Sequence, residues 1–78
     1  MITSSQIKAA RAMTGLTVRL LAEKSNIAFS TLVRLESAND QIPASNVETL
    51  KKLIKTFDTL GIEFIGTPYD RPGVRLKK

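Results

Sequence analysis

A mainly α-helical domain of four short helices, closed by a pair of C-terminal strands, is the fold class this sequence predicts, and three observations predict it. Apolar residues recur at helical spacing from Ile7 to Leu60 and not at the two-residue period of strands. Residues that end helices interrupt this pattern at Gly15, Asn26, Pro43 and Gly61. Beyond Gly61 the period changes, and Ile62-Glu63-Phe64-Ile65 and Val74-Arg75-Leu76-Lys77 alternate as half-buried strands do.

Taken in order, Thr3-Ser4-Ser5-Gln6 offers hydroxyl groups suited to capping a first helix over about Ser5 to Thr14, which should bury Ile7, Ala10 and Met13 or Thr14. Gly15 supplies the positive φ that stops it, and Leu16 tucks inward. Thr17 is the cap candidate for a second helix over about Val18 to Ser25, in which Ala22 is small enough to let the next helix approach. The break at Ser25-Asn26 suits a sharp turn, since Asn tolerates the left-handed conformation. A third helix is expected from Phe29 to Ala38, with Ala28 at or near its boundary, and Asn39-Asp40-Gln41-Ile42-Pro43 follows as a loop. Ser45 and Glu48 form a capping box for a fourth helix, whose apolar side should carry Val47, Leu50, Leu53 or Ile54, Phe57 and Leu60. Its Lys51, Lys52 and Lys55 suit a solvated face. An isolated hairpin is marginal in water, so the final strands must pack on the helices, pair with another chain, or fray. Pairing across a dimer is favoured because it also covers the strand edges.

Composition narrows the function. The 78 residues make one small domain, which buries only about 60% of its unfolded surface and gains from a partner subunit, so a homodimer is expected. With no cysteine and no histidine, thiolate zinc sites, disulfides and the usual general base are all missing, and an enzyme is not expected. Twelve Lys and Arg against seven Asp and Glu give +5, the balance phosphate-rich partners favour, although simple solubility also accounts for it. The excess sits at the two ends: +3 over residues 1–38, zero over 39–61 and +2 over 62–78. No apolar run suits a membrane span, and ITSSQIKAA lacks a signal pattern, so a cytoplasmic protein without membrane contact is expected.

The stretch Thr17 to Glu36, TVRLLAEKSNIAFSTLVRLE, is the unit the rest supports. Two short amphipathic helices sharing Leu20, Leu21, Ile27, Leu32 and Leu35, joined by a tight turn, make a helix-turn-helix, the arrangement that presents its second helix to DNA. In that helix Ala28, Thr31, Leu32 and Leu35 fall on one side, which turns Phe29, Ser30, Val33 and Arg34 outward.

The residues Arg11-Ala12-Met13-Thr14-Gly15-Leu16-Thr17, Leu21-Ala22, Ile27, Ser30-Thr31-Leu32 and Leu35-Glu36 together resemble the phage-repressor-like helix-turn-helix family of lambda repressor, Cro and Xre type, over about residues 5 to 60. The resemblance implies a four-helix lambda-repressor-like domain over residues 1–61; residues 62–78, read from their own alternation, make a strand-like extension expected to serve dimerisation. It implies a structural ion pair between Arg11 and Glu36; a direct grip of Arg11 on phosphate is the alternative. It also implies base contacts from Phe29, Ser30 and Arg34. The chain departs from the family where Val18 replaces a backbone-contacting glutamine, where Asn39, Asp40 and Gln41 stand in place of loop basics, and where strands replace a fifth helix.

On that face Arg34 suits bidentate bonding to guanine O6 and N7, with a phosphate contact or solvation as the alternatives, and Ser30 is permissive. Phe29 and Val33 form an apolar pair that would meet thymine methyls or, otherwise, a protein partner. Thr17, Arg19, Lys24, Thr31 and Asn39 are phosphate candidates, each equally readable as plain surface. Arg71, Arg75, Lys77 and Lys78 are further cations for a phosphate or groove. With no sensor domain or pocket signature, no cofactor and no small-molecule ligand is expected. Two function classes remain: a homodimeric, sequence-specific regulator of transcription on an inverted repeat of double-stranded DNA, such as a repressor, or a protein-interaction module, an antitoxin or antiactivator, using Phe29, Val33 or the strands.

Overall fold

The computed structural model describes residues 2–37 and 47–77. Within them lie α1 (Ser4–Thr14), α2 (Val18–Ser25), α3 (Phe29–Glu36), α4 (Val47–Thr59), β1 (Ile62–Thr67) and β2 (Asp70–Leu76). The expected end of the third helix at Ala38, the loop after it, the Ser45 half of the capping box and the cations' last member Lys78 lie outside the described residues.

Local chemistry sets the boundaries. Thr3 accepts the Gln6 N–H, and the Gln6 side chain accepts the Thr3 N–H at 2.8 Å, a reciprocal box that starts α1 one residue earlier than the hydroxyl pattern predicts. Gly15 at φ 75° stops it. Thr17 accepts the Leu20 N–H to cap α2, and Asn26 at φ 57° makes the turn into α3. Gly61 at φ 85° ends the segment that leads out of α4.

One core joins all the elements: Ile2 ahead of α1, Ile7 and Ala10 from α1, Leu21 and Ala22 from α2, Ile27 from the turn, Leu32 and Leu35 from α3, Leu50, Leu53 and Phe57 from α4, and Ile62 from β1, with Val74 of β2 packed against it. Leu16 and Val18 pack against its margin. Several expected core positions are instead exposed. Leu20 is turned to solvent because α2 packs through Leu21, Ala22 and Ser25, leaving one leucine of the adjacent pair outside. Met13 is likewise outside, Thr14 is half-buried and bonded to the Arg11 carbonyl, and Ala28, at the N-cap of α3, is exposed. In α4 the choice between Leu53 and Ile54 falls to Leu53, while Val47 and Leu60 flank the buried stripe and are exposed.

β1 and β2 form an antiparallel hairpin within the chain, with Ile62 opposite Leu76 and Phe64 opposite Val74. By alternation these four share one face; Phe64 meets Phe57 edge-on at 5.7 Å between ring centroids. The hairpin is thus held on the helices, the first of the three outcomes open to it, and its ladder forms without a second chain. Buried Gln6 fastens it to α1: the amide Nε2 donates to the carbonyls of Ile65 at 3.2 Å and Gly73 at 3.0 Å.

Candidate nucleic-acid interface

Burial of Leu32, Leu35 and Glu36 decides which way α3 faces. These positions turn Phe29, Ser30, Val33 and Arg34 outward, and all four are exposed. Successive members four apart form two parallel rows, apolar Phe29–Val33 and polar Ser30–Arg34. The helix has one acid, Glu36, and it is turned inward, so no carboxylate of α3 stands on this surface.

Glu36 is buried as half of an ion pair. The Arg11 Nε–H reaches its two carboxylate oxygens at 3.0 and 3.2 Å, and a terminal guanidinium nitrogen of Arg11 donates to the Leu16 carbonyl at 3.1 Å. The arginine thus ties the start of the helix-turn-helix, just after Gly15, to the end of α3. Its side chain retains 28% exposure against 7% for Glu36, so the arginine is partly solvated and the glutamate much less so.

The flanking candidates divide by what already engages them. Thr17 is exposed with its oxygen occupied as an acceptor in the α2 cap, which leaves its hydroxyl proton available for donation. Arg19 lies over the Phe29 ring, 4.9 Å from guanidinium carbon to centroid, a contact between the first turns of α2 and α3 that no sequence pattern announced. Lys24 is exposed in the last turn of α2, and Thr31 is half-buried. Asn39 lies outside the described residues. Val18 packs against the core margin and offers no polar group.

Three of the four tail cations read as further phosphate contacts are locally paired. Arg71 binds Asp70, Arg75 makes a bidentate pair with Glu63 at 3.1 Å, and Lys77 is bonded to Asp58. The Arg75 hydrogen bond holds the Glu63 carboxyl below its ordinary range and raises Arg75 in turn. Sequence counting recorded the tail's positive excess and missed these partners, because two of the three are brought together only by the hairpin and its docking on α4.

A buried-faced second helix behind an αL turn, braced by an arginine–glutamate pair, defines a helix-turn-helix domain. A family model described as helix-turn-helix (HTH_3) matches residues 7–65, and the chain belongs to that family, the Xre and lambda-repressor type of DNA-binding transcription regulator. A search of curated proteins finds no match. Among the described residues no helix is long and apolar enough to cross a membrane.

Proposed function

We propose that the protein is a sequence-specific regulator of transcription that acts as a homodimer on an inverted-repeat operator, with α3 in the major groove. The observation that carries this reading is the outward row of Phe29, Ser30, Val33 and Arg34, on a helix whose acid is buried. Arg34 reads guanine and Ser30 bonds a neighbouring base edge. Thr17, Arg19, Lys24 and Thr31, with Asn39 from the following loop, hold phosphates and set the register. Arg11 and Glu36 serve as the structural brace.

The dimer rests on the C-terminal extension. Leu60, Tyr69 and Leu76 are exposed apolar residues at or near the hairpin, and the strand edges favour a covering partner. Where two copies bind one operator, their α3 helices should lie about 34 Å apart, one turn of B-DNA. The test is a titration of duplex DNA at several salt concentrations. Affinity should fall steeply with salt, with a slope of several phosphates; flat, weak binding would contradict the proposal.

A second reading, a protein-interaction module on the same scaffold, is favoured by the exposure of Phe29 at 44% and Val33 at 43%. The same titration separates the two, since a surface built for protein gives no multi-phosphate slope.

A further inference from the structure

The reading face differs from a simple hydrogen-bonding surface in that half of it is apolar. Phe29 and Val33 lie one turn apart and each leaves more than two fifths of its surface in water, which an isolated soluble domain has no reason to maintain as a paired row. The Phe29 ring also has a neighbour on one face. Arg19 lies over it with its guanidinium carbon 4.9 Å from the ring centroid, a contact that favours one placement of the ring before anything binds.

We infer that this row selects a pyrimidine C5-methyl group in the major groove, that of thymine or of 5-methylcytosine, with Phe29 and Val33 as the contacting residues and Arg19 as the residue that positions the ring. The inference rests on the reading of α3 as the groove-entering helix. In the major groove thymine presents a methyl carbon where cytosine presents none, so an apolar side chain there distinguishes the two. Methylation of cytosine places the same group on the same ring carbon, and a site that recognises the methyl accepts both.

Charge decides the occupant. The apolar row is bordered by Arg19 and Arg34, with no α3 carboxylate on the surface. An apolar groove on a protein would have to desolvate the Arg19 guanidinium to reach Phe29, whereas a DNA groove is walled by phosphates that welcome it. The polar row beside it places a methyl-bearing pyrimidine and a guanine in the same half-site.

The experiment uses the full chain and a duplex it has selected from a random pool. Each thymine is replaced in turn by deoxyuridine, which removes only the methyl. At one or two positions per half-site affinity should fall about fourfold, the worth of one buried methyl-sized group. Where such a position is changed to a C·G pair, methylation at cytosine C5 should raise affinity by a similar factor. Phe29→Ala, at an exposed position that does not support the core, should bind with the methyl-dependent ratio reduced toward one, and Phe29→Ala with Val33→Ala should bring it to one. Arg19→Gln should lower that ratio, and Arg19→Lys, which keeps a cation for the ring, should partly restore it. A selected duplex indifferent to deoxyuridine at every thymine, or a Phe29→Ala variant with the wild-type ratio, would overturn the inference while leaving DNA reading by α3 intact. Failure of the wild-type chain to select any duplex would overturn both. An unchanged ratio in Arg19→Gln would remove the positioning role.

Discussion

At the scale of single residues, Glu36 is the most exacting position in the molecule. A carboxylate with 7% of its surface exposed is tolerable only because Arg11 meets both of its oxygens. Arg11→Ala should therefore destabilise the fold by about 2 to 3 kcal/mol, toward the low side for breaking a buried pair because the arginine is partly solvated. Replacing both partners by apolar residues, Arg11→Met with Glu36→Leu, should restore stability to within about 1 kcal/mol of wild type, as chemical denaturation would report. The Glu63–Arg75 pair behaves differently because it is exposed. The folded-state Glu63 pKa is depressed below its ordinary value of 4.5, so the pair's contribution is present above that pH and is lost as the pH falls through the folded value. The difference in melting temperature between wild type and Glu63→Gln should thus be visible at pH 7 and shrink to nothing in acid. A difference that persists at low pH would show that the carboxylate charge is not its source.

At the scale of elements, positions fixed by neighbours in the chain were legible from sequence and positions fixed by distant ones were not. Gly15, Asn26 and Gly61 all take the positive φ that their residue types favour, because a turn is a local event. The outward row of α3 was legible too, since Leu32 and Leu35 anchor a helical wheel without ambiguity. Leu20 was not, because two adjacent leucines look alike until the neighbouring helix chooses between them. Nor was the role of Gln6, whose place among the hydroxyl residues marks only a helix start while its bonds to Ile65 and Gly73 span most of the chain. Two predictions belong here. Gly66 sits at φ 75° beside a break in the strand register, and a Cβ there would lie 2.1 Å from the Arg71 carbonyl oxygen. Gly66→Ala should cost about 2 kcal/mol or more, seen as a lowered melting temperature. Gln6→Leu should speed amide exchange across β1 and β2 more than across α2 and α3, because it releases the hairpin from α1; uniform acceleration would mean that the hairpin unfolds only with the whole domain.

At the scale of the whole molecule, the charge distribution is reorganised by the fold. Three tail cations that swell the sequence's positive count meet Asp70, Glu63 and Asp58, so the pairing quiets the C-terminal end. The helix-turn-helix keeps Arg19, Lys24 and Arg34 at exposed positions, and the fold braces it from behind through Arg11, Glu36 and the shared core. The central claim is that the outward side of α3 reads bases, and parallel selection from a random duplex pool by the wild-type chain and by Arg34→Ala tests it most directly. The wild type should enrich an inverted repeat with half-sites about 10 base pairs apart. Arg34→Ala should lose preference for guanine at one position in each half, a discrimination of about 1 to 3 kcal/mol. No enrichment by the wild type, or the same motif from both proteins, would contradict the claim.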